Sequence, residues 1–119
     1  MGTKPFDTKA VVQTHLEAFI RQQGVDAIVR DYHDDASFLS EARTYHGKPE
    51  IREFFEAFLA SLPEGAIPRF SLRTLRVDGE VAYITWNIGD DVPLGTDTFV
   101  VRNGKIVSQT FAMHPPAAQ

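Results

Sequence analysis

Four residues of this chain have side chains that could do chemistry in a shared place: Asp97, His15, Tyr32 and Gln109. Asp97 opens the alternating stretch Asp97-Thr98-Phe99-Val100-Val101. Period-two alternation puts Asp97 on one strand face with Phe99 and Val101. In the next stretch, Val107, Gln109, Phe111 and Met113 share a face by the same parity, and this set is expected to face the helices. A carboxylate among Phe99 and Phe111 loses hydration, so its pKa should rise, which suits a hydrogen-bond donor or general acid. The sequence equally allows a wetted Asp97 at a strand end, bonded to a turn. His15 lies beside the stripe Val12, Leu16 and Phe19, where it could reach an interior and act as base, acid or donor. A direct His15–Asp97 pair would let the carboxylate orient the ring while the ring handles the proton. Such a pair would hold Asp97 ionised, so it competes with the neutral-donor role. Tyr32 can aim its hydroxyl inward, and a buried Gln109 must bond something, whether a ligand oxygen, Asp97 or water. Phe19, Phe55, Phe58, Phe99, Phe111 and Met113 are the expected apolar lining, with core packing as the plainer role for most of them.

The elements that position these groups follow from hydrophobic periodicity. A first helix starts at Asp7, whose carboxylate can cap it, with Phe6 and Val11 spaced as a hydrophobic staple. Val12, Leu16, Phe19 and Ile20 form its stripe, and Gly24 stops it. A second helix covers 25–33, ended by Asp34-Asp35, with Tyr32 near its end. A brief strand covers 36–40. Pro49 opens the third helix, whose Ile51, Phe54, Phe55, Phe58, Leu59 and Leu62 repeat at helical spacing. Pro63 and Gly65 end it. Four strands follow, at 67–77, 80–89, 96–102 and 105–113, with hairpin signals at Asp78-Gly79 and Asn103-Gly104 and a loop from Gly89 to Gly95. The strand at 80–89 has two usable faces: Ala82, Ile84, Trp86 and Ile88, or Val81, Tyr83, Thr85 and Asn87. If Trp86 and Ile84 faced outward, they would form an exposed apolar patch of the kind that marks an interface. The order predicts an α+β domain over residues 4–114. A curved, largely antiparallel (mixed) sheet packs on three N-terminal helices and encloses an apolar pocket, and 115–119 is a loose tail.

Composition narrows the function classes. A chain of 119 residues suits one domain, and 43% hydrophobic with 24% charged residues is ordinary for a globular protein. A formal net charge of −4 argues against a nucleic-acid surface. The chain has no cysteine, hence no disulfide, thiolate nucleophile or cysteine–zinc site. No apolar run is long enough to span a membrane, and the polar start opens no signal peptide, so a cytoplasmic setting is the expectation. His33, His46 and His114 lack metal-ligand spacing. Asp90-Asp91 offers too few oxygens for a divalent ion. No metal and no cofactor are expected.

Several segments resemble the nuclear transport factor 2-like superfamily, which includes ketosteroid isomerases, polyketide cyclases and scytalone dehydratase. They are Tyr32-His33-Asp34-Asp35-Ala36, Tyr45-His46-Gly47-Lys48 with Ile51-Arg52-Glu53-Phe54-Phe55, and Asp97-Thr98-Phe99 leading to Asn103-Gly104-Lys105-Ile106-Val107. The likeness runs over about residues 7 to 113. It implies a cone-shaped pocket and frequent dimers through the outer face of the sheet. By likeness to ketosteroid isomerase, Asp97 matches a protonated oxyanion-binding aspartic acid, and His15 and Phe55 stand where that enzyme has tyrosines. Its proton-shuttling aspartate falls on Ser40 or its neighbour, with Glu41 one residue away, and the acid of the polyketide cyclases falls on Phe111. The resulting expectation is a pocket protein for a small hydrophobic ligand. It would be a cofactor-independent isomerase, cyclase or dehydratase for a carbonyl or hydroxyl compound, with Asp97 and His15 as its acid–base or oxyanion groups. The alternative is a non-catalytic binding or dimeric interaction module of the same shape.

Overall fold

The computed structural model describes residues 7–114; the staple partner Phe6, residues 4–6 of the expected domain and the tail 115–119 lie outside the described residues. Three helices, α1 (Thr8–Ile20), α2 (Val25–Val29) and α3 (Gly47–Ser61), pack on a six-stranded sheet. Its strands are β1 (Tyr32–Leu39), β2 (Thr44–His46), β3 (Phe70–Asp78), β4 (Val81–Ile88), β5 (Val92–Arg102) and β6 (Lys105–His114), with a 3-10 turn at Ile67–Arg69. The sheet order is β2-β1-β6-β5-β4-β3. Only β1–β6 is parallel; every other neighbour pair is antiparallel. Register slips interrupt four of the five pairings, and such bulges bend strands and curve the sheet over its helices.

Several local expectations are corrected. α1 ends at Ile20, because Gln22 already takes a left-handed φ of 53°, and Gly24 instead precedes α2. The Asp7 side chain makes no capping bond. α2 is only five residues long, so Tyr32 and Asp34-Asp35 belong to β1. A register slip between Tyr32 and Ser37 lets those acids bulge outward while Ala36 and Phe38 return to the core. β2 was not anticipated, and β5 begins at Val92, which shortens the Gly89–Gly95 loop. In β6 the inward parity breaks at a slip: Val100 faces Ser108, but Val101 faces Ile106. Ile106 is therefore fully buried and Val107 only partly so, while Gln109 remains buried.

β4 settles its two-faced pattern by burying Ala82, Ile84, Trp86 and Ile88. The Trp86–Ile84 patch considered for the outer face therefore does not exist; Val81 and Tyr83 are the exposed apolar residues of β4. Trp86 can turn inward because Gly95 lies opposite it on β5. A Cβ on Gly95 would stand 2.2 Å from Trp86 Cε2 and Cζ2, so the indole lies flat on bare backbone. The inner core is continuous from Val12 and Phe19 on α1, through Ile51, Phe55 and Phe58 on α3, to Ile84, Phe99 and Ile106 on the sheet.

Gly95→Ala tests that packing. A rigid backbone-mounted methyl forces the indole aside, so we expect a loss of about 1–3 kcal/mol in urea unfolding and a red-shifted tryptophan emission. An unchanged emission maximum and stability would contradict the flat packing.

Candidate functional site

The inward sides of α1, β4, β5 and β6 converge on a chain of polar groups inside the apolar core. Asp97 faces inward because β5 alternates, and it pairs with Ile84 on β4 and Phe111 on β6. Trp86 Nε1–H donates to Asp97 Oδ1 at 2.7 Å. Gln109 Nε2–H donates to Asp97 Oδ2 at 2.8 Å. The Tyr32 hydroxyl donates to Gln109 Oε1. His15 Nε2 lies 3.5 Å from the Tyr32 oxygen, and His15 Nδ1 lies 3.2 Å from the Ile28 carbonyl oxygen. All five side chains are buried. His15 holds its place because it falls mid-stripe on α1, between Val12 and Phe19, and it meets the rings of Tyr32, Phe55 and Phe99 edge-on.

Proton placement follows from the partners. The Ile28 carbonyl can only accept, so Nδ1 of His15 carries the proton, and Nε2 of the neutral ring presents a lone pair to Tyr32. Burial pushes His15 down to about 4, only partly offset by the bond to Ile28, so the ring is neutral near pH 7. Burial pushes Asp97 up to about 6, against the lowering effect of the Trp86 and Gln109 donors. Burial, followed by the charges of Asp97 and Asp31, keeps Tyr32 well above the usual phenol range. With Asp97 ionised, Gln109 and Trp86 both donate to it, and Tyr32 oxygen and His15 Nε2 are left as two acceptors face to face. With Asp97 protonated, the same heavy-atom positions accept the reverse order once the Gln109 amide turns over. Asp97 then donates to Gln109, Gln109 to Tyr32, Tyr32 to His15 and His15 to Ile28, and every lone pair is matched. The acceptor–acceptor contact of the ionised state therefore adds to burial in raising Asp97, without keeping it neutral at pH 7.

The structure separates the expected His15–Asp97 pair: the two are joined through Tyr32 and Gln109 rather than by a direct bond. A neutral His15 also supplies no charge to hold Asp97 ionised. His15, Phe19, Phe55, Phe58, Asp97, Phe99, Gln109 and Phe111 line a cavity of about 50 Å³ between helices and sheet. Tyr32 does not line it but braces Gln109 from behind. Met113 lines a separate outer hollow. Sequence reasoning did not place Trp86 at the site, although the uniformly apolar parity Ala82-Ile84-Trp86-Ile88 carried that signal. It also missed Phe38, Phe54 and Phe70 as lining. Ser40 is tied into the turn at Arg43, bonding its carbonyl and amide, and lies with Glu41 at the outer hollow. Among the described residues, no cluster of His, Asp or Glu could hold a metal ion.

The two shifts have opposite linkage signs. The raised value of Asp97 stabilises the fold in full below about 3.8, and that contribution is lost as pH rises through about 6. The lowered value of His15 stabilises above about 6.5, and that contribution is lost as pH falls through about 4. Between pH 4 and 6 the two cancel. Single variants should expose each part in urea unfolding. Relative to the parent, Asp97→Asn gains stability by up to about 3 kcal/mol from pH 4 to pH 6, and His15→Phe loses about as much over the same range. Three parallel pH curves would contradict this burial.

Comparison with known proteins places the chain in a family. Residues 12–109 match the family model described as a SnoaL-like domain. No curated protein matches the sequence. Among solved structures, the chain is similar to an NTF-2-like protein of unknown function from Burkholderia xenovorans LB400, with 20% identity, 94% of this chain and 86% of that one covered, and a TM-score of 0.74. It is similar to a putative polyketide cyclase from Sinorhizobium meliloti, with 17% identity, 92% and 100% coverage, and a TM-score of 0.72. It is also similar to a protein with a ketosteroid isomerase-like fold from Catenulispora acidiphila, solved in complex with trimethylamine, with 15% identity, 89% and 86% coverage, and a TM-score of 0.67. At these identities the structures establish the fold. The family model spans most of the chain, and the chain belongs to the SnoaL-like domain family, with the fold of nuclear transport factor 2-like proteins.

Proposed function

We propose that this protein binds a small, largely apolar carbonyl or hydroxyl compound and transfers a proton on it without a cofactor, as an isomerase, cyclase or dehydratase does. The observation that carries this reading is the Asp97 carboxyl, dry, raised to about 6 and aimed with Gln109 at an aromatic cavity. A carboxyl poised near neutrality can protonate a carbonyl oxygen or take back a proton at physiological pH, where an ordinary surface aspartate stays ionised. Trp86 and Gln109 hold its two oxygens, and this fixes the carboxyl plane relative to a bound ligand. Tyr32 and His15 set the direction of hydrogen bonding behind Gln109 and do not meet the ligand through a charge.

The second reading, a non-catalytic binder of the same ligand class, is favoured by the acid positions of the enzymes this chain resembles: here they hold Ser40 and Phe111. A dimer through the outer face of the sheet accompanies either reading, supported by the exposed Val81 and Tyr83.

Proton transfer is read directly by NMR as the exchange of α-hydrogens of small ketones for deuterium. The enzyme reading expects exchange above the solution rate, lowered by about 10²–10⁴-fold in Asp97→Asn, with binding retained. Ketones that bind, with exchange equal in both proteins, would leave the binder. For the dimer, size-exclusion of Tyr83→Glu should give a monomer, and an unchanged elution volume would reject that surface.

A further inference from the structure

Two hollows lie back to back between α3 and the sheet. The inner one, about 50 Å³, has Asp97, Gln109 and His15 among its walls. The outer one, about 260 Å³ and open to solvent, lies against Ser40, Glu41, Tyr45 and Met113. Phe54 from α3 and Phe111 from β6 are the two residues that line both. Their rings meet edge to face, with centroids 5.1 Å apart and planes at 69°. Both are only partly buried, and neither has a polar atom to anchor it.

The inner hollow has room for a few waters, well short of the void of about 150 Å³ known to take up benzene. Small-molecule sites are commonly about 300–1,000 Å³. The two hollows reach the lower end of that range only as one space, with the two phenyl rings moved from between them. Phe54 also packs on the rings of Phe38, Tyr45, Phe55 and Phe58, and Phe111 on those of Phe38, Phe58 and Trp86. Each such contact contributes about 0.5–1.5 kcal/mol beyond burial, so a ligand that moves the pair must replace several of them with apolar contacts of its own, which a long apolar body can do.

We propose that Phe54 and Phe111 are the movable partition of one two-chamber site, built for an elongated ligand. Its carbonyl or hydroxyl head sits against Asp97, and its apolar body runs past the partition into the outer chamber. This rests on the functional reading above and adds the shape and polarity of the ligand. Tyr45 and Met113 give the body apolar walls. The Glu41 carboxylate at the outer chamber and the net charge of −4 work against an anionic tail. The class is therefore a medium-chain neutral ketone, aldehyde or alcohol rather than a fatty acid.

The chain's single tryptophan, Trp86, donates to Asp97, so its emission reports a head group arriving there. The experiment titrates the protein with straight-chain 2-ketones from butanone to undecanone, and with decanoate. Expected are affinities that tighten about fourfold per added methylene until the outer chamber is filled, and no comparable response to decanoate. Met113→Glu, at a partly exposed position, should weaken undecanone far more than butanone and so flatten the chain-length slope. Phe54→Ala and the milder Phe111→Leu should speed undecanone association in stopped flow, with far-UV circular dichroism confirming the fold. A flat chain-length series in the parent protein, or a slope that Met113→Glu leaves intact, would overturn the two-chamber site while leaving the head-group reading in place. A Trp86 that responds to no ketone of any length would overturn both.

Discussion

A carboxylate kept away from water by its own sheet is the constraint on which this structure depends. Asp97 can be dry only because each of its oxygens has a donor, Trp86 on one side and Gln109 on the other. An unpartnered buried carboxylate would cost several kcal/mol. Each donor in turn needs support. Trp86 reaches Asp97 because Gly95 offers no side chain in its path. Gln109 is oriented by Tyr32, and Tyr32 faces a histidine that the backbone of α2 holds in one tautomer. The polar chain therefore crosses from sheet to helix layer and joins elements far apart in sequence. It acts as an internal ruler: α1 cannot slide on the sheet without leaving buried lone pairs unmatched.

The aromatic shell gives this chain its chemical character. Phe54, Phe55, Phe58, Phe99 and Phe111 surround the inner cavity with rings that carry no competing hydrogen-bond groups. Low polarity there raises Asp97 and lowers His15 at once, by the same cause acting on groups of opposite charge. The result at pH 7 is a neutral histidine and a carboxyl whose midpoint, about 6, lies within reach of neutrality. A wetter wall would return both to ordinary behaviour and remove the poise that distinguishes this aspartate from those on the surface.

Much of this was legible in the sequence, for identifiable reasons. Three helices before a meander, the long apolar stripe of α3, and the Asn103-Gly104 turn, both of whose residues take positive φ, are strong local signals. The inward parity of Asp97 and Gln109 followed from alternation alone. What failed was decided by tertiary contacts. The α2–β1 boundary moved because β1 is pinned by its parallel neighbour β6, which no local pattern reveals. Val107 lost its inward place to a register slip that alternation cannot foresee. Trp86 looked available to either face because both parities of β4 are apolar enough to be covered, and the residue that makes room for its indole, Gly95, lies on the opposite strand. With Tyr32 assigned to a helix, the Tyr32–Gln109 link could not be seen, and a direct His15–Asp97 pair looked like the simpler arrangement.

The most direct measurement of the central claim is a carboxyl ¹³C titration of Asp97 by NMR in selectively labelled protein. A dry carboxyl bonded to Trp86 and Gln109 is predicted to titrate with a midpoint near 6. A midpoint at or below the ordinary aspartate value of about 3.9 would show a hydrated carboxylate and contradict the account.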